Sequence, residues 1–346
     1  MRHLFCGALA ITLAGASLAQ AALTANDPFN YTTGDLTGKN SGVGWAGAYT
    51  DTGNSTVIET AGLSYGGLPT TPGSVRTADG GAATTISFRT LSNTYGDGET
   101  ETWVSFLGRR NGTTASNLFA GVSFYNTNGT ATADGEVSFA SSVNSATPVW
   151  RVLDLGGSTA SESAVAITPN AVHFLVARIV WNVADPNLGG TGTSAVYLYV
   201  NPTAGQGLPA AASAGRNITM TNFNKIRFAG QNAIDYSFDD IRIGDTFADV
   251  APFLAPNADF NNSGSVTIDD FNVLKSNFLT GTALAQGDAN YDGKVDHADF
   301  FLWRTAFVTA GGSLEGLSLS IPEPSSAAIA GSLGLMAYGI GLVRRR

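Results

Sequence analysis

Short runs of alternating apolar and polar residues fill the chain from residue 23 to about residue 250, and small polar residues and glycine separate them. Alternation with a period of two is typical of β-strands that have one buried face. The clearest predicted strands are Thr102–Leu107, Leu118–Tyr125, Gly135–Ala140, Val149–Leu153, His173–Trp181, Ala195–Val200, Phe223–Ala229 and Ile234–Ile243. Because these strands come without a convincing helix, the pattern predicts a mainly β fold, one β-sandwich of jelly-roll type.

Two of the predicted strands carry further detail. One face of His173–Trp181 carries Leu175, Ala177, Ile179 and Trp181. Arg178 lies on the other face, so this strand is predicted to be half-buried. In the last strand the apolar positions change parity between Phe238 and Ile241, which predicts a β-bulge near Asp239 and Asp240.

A twelve-residue pattern occurs twice after the predicted sandwich, at 259–270 and, with an offset of 29, at 288–299. Oxygen-bearing side chains stand at positions 1, 3, 5, 9 and 12, and glycine stands at position 6, as in calcium loops. Position 7 supplies a main-chain carbonyl in such loops. The candidate ligands are Asp259, Asn261, Ser263, Ser265, Thr267 and Asp270 in the first loop and Asp288, Asn290, Asp292, Lys294, Asp296 and Asp299 in the second.

The two loops differ in charge. Two carboxylates are available in the first and four in the second, so the second is predicted to bind calcium more tightly. Each loop leads into apolar residues spaced by three and four positions, which predicts a short helix with one apolar face. These residues are Phe271, Leu274 and Phe278 after the first loop and Phe300, Trp303 and Phe307 after the second.

The second loop has the pattern Asp-x-Asn-x-Asp-Gly, and the first loop departs from it by Ser263 at position 5. The repeated loop and helix resemble the type I dockerin module over roughly residues 257–307. The resemblance implies a calcium-dependent pair of loop-helix units and a cohesin-like partner. Dockerins tend to carry small hydroxyl residues at loop positions 10 and 11. Here those positions hold Ile268 with Asp269 and His297 with Ala298, which weakens the expectation of a cohesin more than that of calcium.

The ends of the chain predict export and sorting. A basic start at Arg2, an apolar run and Ala19-Gln20-Ala21 have the pattern of a signal peptide over residues 1–21. Cys6, the only cysteine, would be removed with the signal peptide, so the mature chain would have no disulfide bond. Calcium is then the only cross-link that we expect in it. The net charge of −9 argues against a nucleic-acid partner.

At the other end, Pro322, Glu323 and Pro324 precede an apolar run at 327–343 and three terminal arginines. This arrangement resembles the PEP-CTERM sorting signal. The resemblance implies recognition by an exosortase and location at the cell envelope, the outer surface or the extracellular matrix. The apolar run would be a membrane helix before processing, and a permanent single-span anchor is the alternative.

Two further segments suggest a family for the large domain. Asp27-Pro28-Phe29-Asn30-Tyr31 and Tyr236–Gly244 resemble the first and last strands of LamG/concanavalin-like jelly rolls, a superfamily of binders, enzymes and structural modules. The predicted organisation is a signal at 1–21, a sandwich at 22–250, a linker at 251–256, calcium repeats at 257–310, a linker at 311–321 and a sorting tail at 322–346.

Two motifs bear on catalysis. Residues 62–66 match the nucleophile elbow of serine hydrolases, but the Pro- and Gly-rich run that follows cannot begin the required helix, so a turn is favoured. Asp97, Glu99 and Glu101 have a spacing that glycosidase carboxylates could use. The glycines between them indicate a loop, and solvated acids are the favoured interpretation.

Among the tryptophans, Trp103 and Trp181 lie within apolar strands and are predicted to be core residues, whereas Trp45 and Trp150 are candidates for stacking on sugars. The leading hypothesis is therefore an exported, non-catalytic surface protein. Its sandwich would contact extracellular polysaccharide, and its calcium module would dock or stabilise. A polysaccharide hydrolase or lyase that carries a dockerin and a purely structural protein are the two alternatives.

Overall fold

The computed structural model describes residues 23–51, 56–77, 85–112, 119–126, 135–141, 147–155, 159–203, 207–230 and 235–315. The strands, in chain order, are β1 (Ala25–Asp27), β2 (Gly34–Asp35), β3 (Thr50–Asp51), β4 (Val57–Glu59), β5 (Ser74–Arg76), β6 (Thr85–Tyr95), β7 (Glu101–Arg110), β8 (Ala120–Tyr125), β9 (Glu136–Ser141), β10 (Val149–Asp154), β11 (Thr159–Ala166), β12 (Val172–Val180), β13 (Ser194–Val200), β14 (Ala214–Ile218), β15 (Phe223–Gly230) and β16 (Tyr236–Gly244). The α-helices are α1 (Phe247–Val250), α2 (Ile268–Ser276) and α3 (His297–Thr309).

The strands form two antiparallel sheets. One has the order β14-β13-β12-β7-β16-β5-β4-β2, with β1 paired to β16, and the other has the order β11-β10-β9-β8-β15-β6-β3. We call them the nine-stranded and the seven-stranded sheet. The prediction of a mainly β sandwich with few helices is confirmed.

The main hydrophobic core lies between the two sheets. Because side chains alternate along a strand, β7 directs Val104 and Phe106 inward, and β8 directs Val122 and Phe124 inward to meet them. Truncating one of these buried phenylalanines to alanine would cost about 3–5 kcal/mol. Trp150 is also fully buried here, so it is not a surface for sugar stacking, contrary to the sequence expectation.

A second apolar cluster covers the outer face of the nine-stranded sheet. Phe174 and Val176 point away from the main core and are buried beneath Leu63, Val250 and neighbouring residues of the chain. The prediction that the strand around Arg178 is half-buried is therefore wrong at its beginning. The covering segments come from distant parts of the chain, which strand periodicity does not reveal.

The predicted bulge in the last strand is confirmed. The register between β16 and β7 shifts between Asp239 and Arg242, and Asp240 has φ of 53°. The bulge turns Asp239 into the protein, where its Oδ2 accepts a hydrogen bond from the Leu63 backbone N–H at 2.8 Å. The bulge thereby fixes the segment 61–68, which we call the covering loop.

A buried ion pair ties the opening segment to β6. Arg89 Nη1 donates to Asp27 Oδ2 at 2.6 Å, and both side chains are almost fully buried. Tyr31 and Tyr49 donate hydroxyl hydrogen bonds to the same oxygen, and Arg89 Nε donates to the Gly47 carbonyl. A buried ion pair persists only when its remaining donors and acceptors are satisfied, as they are here. Asp27 and Tyr31, the first and last residues of the Asp-Pro-Phe-Asn-Tyr motif, both take part in this network.

Some strands of the structure are not among those predicted from the sequence, and two predicted strand starts cannot be compared. Strand β6 was not predicted, because Arg89 occupies an inward position and interrupts the apolar alternation. The edge strands β11 and β14 are rich in polar residues or glycine and give little apolar signal. The predicted strand starts at Leu118 and Ile234 lie outside the described residues.

The C-terminal part folds as two packed loop-helix units, as the spacing predicted. Phe271 of α2 and Trp303 of α3 have ring centroids 4.9 Å apart at the centre of a third apolar cluster. Both helices begin with a capping box, Thr267 with Asp270 and Asp296 with Asp299. Position 12 of each loop is therefore also the third residue of the following helix.

The two predicted targeting segments, at 1–21 and 322–346, lie outside the described residues. Within the described ranges, none of the helices has the length and apolar character needed to span a membrane.

Candidate functional site

The first calcium-loop sequence is coiled around its own carboxylates. Asp259, at position 1, accepts hydrogen bonds from the backbone N–H groups of Ser263 at 2.9 Å and Gly264 at 2.8 Å. Asp270, at position 12, accepts through Oδ1 from the N–H groups of Phe260 and Asn261. Its Oδ2 accepts from the Thr267 N–H at 2.8 Å.

The second loop repeats this arrangement. Asp288 accepts from the N–H groups of Asp292 at 3.1 Å and Gly293 at 2.9 Å. Asp299 accepts through Oδ1 from the N–H groups of Ala289 and Asn290, and through Oδ2 from that of Asp296. Positions 1 and 12 thus bind the same loop positions in both copies.

The backbone follows the same course in both loops. Position 4 has a left-handed conformation, with φ of 53° at Asn262 and 60° at Tyr291. Position 6 is left-handed as well, with φ of 88° at Gly264 and 81° at Gly293, so glycine is the residue that adopts it without strain. This confirms why glycine stands at position 6 of each repeat.

Positions 3 and 5 complete the loop interior. Asn261 Oδ1 accepts from the Ser263 N–H at 3.0 Å, and Asn290 Oδ1 accepts from the Asp292 N–H at 2.9 Å. In each loop the side-chain oxygens of positions 1 and 3 therefore accept hydrogen bonds from the same backbone N–H group, that of position 5. At position 9 the side chain instead caps the next helix, since Asp296 Oδ1 accepts from the Ala298 N–H at 2.7 Å.

Position 12 is fully buried in both loops, at Asp270 and Asp299, whereas position 1 is buried only in the second loop, at Asp288. Desolvation raises the pKa of Asp299 to about 6, although hydrogen bonds from Asp296, Asn290 and Ala289 lower it. Desolvation also raises the pKa of Asp288. Carboxyl groups buried in this way favour a nearby cation, because it would offset the desolvation of their charge.

The donor set suits a hard cation. It consists of carboxylate, amide, hydroxyl and main-chain oxygens, which calcium prefers over nitrogen or sulfur. Over the described ranges, no three His, Cys, Asp or Glu side chains gather closely enough to hold a metal ion by themselves. A site here would therefore depend on the Asn, Ser and main-chain oxygens as well.

The second loop is seated on the sandwich. The linker before the loops is bound to the sandwich, since the Leu254 N–H donates to the Gly67 carbonyl at 2.6 Å. The chain that follows is bound to the second loop, since the Asn257 N–H donates to the Ala289 carbonyl at 2.9 Å. A Cβ atom on Gly66 would lie only 1.8 Å from the Tyr291 carbonyl oxygen, so the covering loop and the calcium loop touch backbone to backbone. We call this contact the seam.

A polar cluster lies on the outer face of the seven-stranded sheet. Its members alternate with inward residues of β8, β9 and β15, and we call them the polar face: Ser123, Tyr125, Glu136, Ser138, Lys225 and Arg227. Arg227 forms a salt bridge with Glu136, which is fully buried. Lys225 Nζ lies 4.8 Å from the centre of the Phe88 ring.

Several buried atoms of the polar face have no hydrogen-bond partner in the described part of the chain. Glu136 Oε2, Ser138 Oγ and Arg227 Nε are buried and have no hydrogen-bond partner among the described residues. Desolvation raises the pKa of Glu136, and the charge of Arg227 opposes this shift. Unpaired buried polar atoms cost about 1–3 kcal/mol each, so a bound polar molecule would be favoured there. Sequence periodicity marks these positions only as outward-facing.

The acids considered for glycosidase chemistry have structural partners. Glu99 Oε2 accepts from the Gly96 N–H and the Thr102 hydroxyl, and Glu101 accepts from the Trp103 indole and from Arg178. Asp97 accepts from the Asn222 amide at 3.0 Å. These contacts hold the turn before β7.

The segment that resembles a nucleophile elbow has no regular structure. Ser64 is exposed in the covering loop, and no helix follows it. This agrees with the turn predicted from the sequence.

Comparison with known proteins gives only distant likenesses. No family model and no curated protein matches the chain. The globular domain of T. cruzi calreticulin is 10% identical over 59% of this chain and 86% of its own, with a TM-score of 0.36. The metal-free carbohydrate recognition domain of Emp46p is 9% identical over 57% and 87%, with a TM-score of 0.34. The cellulose induced protein Cip1 is 14% identical over 62% and 98%, with a TM-score of 0.32. At these values the likenesses carry no argument about what the chain does.

Proposed function

We propose that this chain is an exported, non-catalytic surface protein that binds calcium through its paired loops and contacts extracellular polysaccharide through its sandwich. The observation that carries the proposal is the matching hydrogen-bond pattern of the two loops. Two segments 29 positions apart place the same oxygens around the same loop backbone. A turn with incidental acids would have no reason to repeat it.

The ion would be held by the side chains at positions 1, 3, 5 and 12 and by the main-chain carbonyls of Ser265 and Lys294 at position 7. Thr267 and Asp296, at position 9, would contribute through a water or after turning from their capping contacts. When bound, the ion supplies a cross-link within each loop. The hydrogen bonds of the ligand residues hold the loop backbone in place. The second loop would place four carboxylates near the ion and the first loop two.

The polar face supports the polysaccharide part of the proposal. Its partly exposed members are Lys225 and Arg227, and the Lys225 ammonium lies 5.8 Å from the centre of the Tyr125 ring. Cationic hydrogen-bond donors beside an aromatic ring suit hydroxyl-rich ligands. The fold would be a LamG/concanavalin-like jelly roll, and the loop pair a dockerin-like module with a cohesin-like domain as its possible partner. No arrangement of the described acids favours the hydrolase or lyase alternative.

The sorting part of the proposal is supported by the sequence. A signal over 1–21 and the tail with Pro322, Glu323 and Pro324 would direct export, processing by an exosortase, a transient membrane span and release or attachment at the envelope or matrix.

Calorimetry on the full chain tests the calcium part. We expect two binding events, the tighter one lost in Asp288→Ala, and EDTA should loosen residues 257–307 while the sandwich stays folded. Absence of binding heat in the wild-type protein would refute it.

Retention on immobilised polysaccharides tests the second part, with Lys225→Met as the polar-face variant and Arg304→Met as its charge-matched control. Arg304 is exposed on α3, in the other part of the protein. Equal retention of the two variants would remove the polar face from the proposal.

A further inference from the structure

A cavity of about 230 Å³ lies at the seam between the sandwich and the second calcium loop. Its walls are formed by Tyr65 and Gly66 of the covering loop, Thr203 after β13, and Tyr291, Asp292 and Lys294 of the calcium loop. Neither part of the protein forms this cavity alone. Contacts between domains are common places for ligand sites.

Several polar groups around the cavity are without a partner in the described part of the chain. Within the described residues, no hydrogen bond or ion pair engages the Tyr65 hydroxyl, the Tyr291 hydroxyl, the Thr203 hydroxyl or the Lys294 ammonium. The Tyr65 ring is fixed by packing against Phe174, with centroids 5.5 Å apart. Desolvation raises the pKa of Tyr65 to about 12, so its hydroxyl keeps its proton.

Asp292 completes the set as an acceptor. Its Oδ1 accepts a hydrogen bond from the Lys294 N–H, and its Oδ2 accepts one from the Asn290 side-chain amide. Each oxygen keeps a lone pair for a further hydrogen bond. The cavity therefore presents two aromatic rings, three hydroxyl groups, one ammonium and one carboxylate. Lysine and aspartate balance each other in charge, which disfavours a strongly charged ligand.

The geometry points to a second saccharide site at the seam, which takes one sugar unit of a glycan between Tyr65 and Tyr291. A sugar ring has apolar C–H faces for the aromatic rings and hydroxyl groups for the surrounding donors and acceptors. The volume is below the roughly 300–1,000 Å³ of pockets for drug-sized ligands, which fits a single unit. This inference rests on the proposed polysaccharide-binding role, but it uses residues separate from the polar face.

The site would also join the two functions of the protein. Tyr291, Asp292 and Lys294 stand at positions 4, 5 and 7 of the second loop, so the same loop would contact both calcium and sugar. The backbone contact between Gly66 and Tyr291 holds the two walls together. Glycan binding at the seam should therefore depend on an ordered second loop.

The test uses the full-length, calcium-loaded protein and a panel of neutral and uronic-acid-containing oligosaccharides, measured by calorimetry and by saturation-transfer NMR. The variant Tyr65→Phe/Tyr291→Phe removes two hydroxyl groups from the cavity and leaves every predicted calcium ligand in place. Arg304→Met is the control for a surface change elsewhere in the same module. Calcium affinity is measured for each variant.

We expect the double variant to lose about tenfold in oligosaccharide affinity, as two lost hydrogen bonds imply, with unchanged calcium affinity. The Arg304→Met variant should bind like the wild type. If the wild type binds and the double variant binds equally well, the seam site is overturned while the proposed function stands. If the wild type binds none of the oligosaccharides or immobilised polysaccharides, the polysaccharide role itself falls.

Discussion

The two candidate calcium loops have matching backbone hydrogen bonds and different surroundings. In the first loop Asp259 is partly exposed and residues 261–265 are open to solvent. In the second loop Asp288 is 2% exposed, and the backbone rests on the covering loop of the sandwich. A repeated sequence thus sets the hydrogen bonds within each loop, while its neighbours set the burial of the carboxylates. Among the described residues, the backbone contact with the covering loop belongs to the second copy.

The largest expected effect comes from removing position 1 of each loop in turn. Asp288→Ala should weaken the tighter calcium site by on the order of a hundredfold or more, so that its binding event is lost from the isotherm. The reason is that the N–H groups of Asp292 and Gly293 lose their acceptor as the ion loses a ligand. Asp259→Ala should weaken only the other site. Calcium titration calorimetry separates the two, and an unchanged isotherm in Asp288→Ala would contradict the assignment.

The next effect tests the seam. Gly66→Ala places a Cβ atom against the Tyr291 carbonyl oxygen, and overpacking of this kind costs about 1–3 kcal/mol. We expect a lower midpoint of thermal unfolding and faster hydrogen exchange in the second loop, with the first loop unaffected. Gly189→Ala is the matched control, since open space surrounds that glycine. Equal destabilisation by both substitutions would rule out a specific contact at the seam.

Adding carboxylates to the first loop should reduce the difference in calcium affinity between the two loops. Ser263→Asp/Thr267→Asp gives the first loop the carboxylates that the second has, and aspartate can keep the helix cap, as Asp296 does. We expect about tenfold tighter calcium binding at the first loop. No change in the weaker binding constant would show that charge is not what separates the two.

The smallest effect is a pH dependence of the covering loop. Desolvation, opposed by the hydrogen bond from the Leu63 N–H, raises the pKa of Asp239 from 3.8 to about 8. The folded protein then holds a proton that the unfolded chain releases, so this stability is present below about pH 4 and is lost as the pH rises through 8.

From pH 6 to 7 the loss should be about 1 kcal/mol. Denaturant unfolding at both pH values measures it, and Asp239→Asn should reduce the slope. The pKa values of Asp27 and Asp240 are also raised, mainly by desolvation, so some slope should remain. A slope of the opposite sign would contradict the direction given for Asp239.

Local signals in the sequence predicted much of this structure. The parity change after Phe238 located the bulge, and the loop spacing predicted the paired helices that meet at Phe271 and Trp303. The bulge and the two helices are formed by residues close in sequence, so the spacing of apolar and polar residues is enough to predict them.

Other features depend on partners far apart in the chain. In the sequence Arg89 interrupts the apolar alternation of β6, and its role is evident only from its contact with Asp27 in the structure. Phe174 has the parity of a solvent-facing residue, but the covering loop buries it. The polar face and the seam likewise arise from tertiary packing. Alternation identifies which face of a strand a residue is on, and only the folded chain shows what that face touches.

The carboxylate at position 12 serves two neighbours at once. In each repeat it accepts N–H groups from the start of the loop and the N–H of the residue that caps the following helix. Three backbone hydrogens thus stand in for part of the positive charge that calcium would bring. The same carboxylate would also hold the ion in the calcium-bound chain that we propose, so a substitution at position 12 would disturb the first turn of the helix as well as the site.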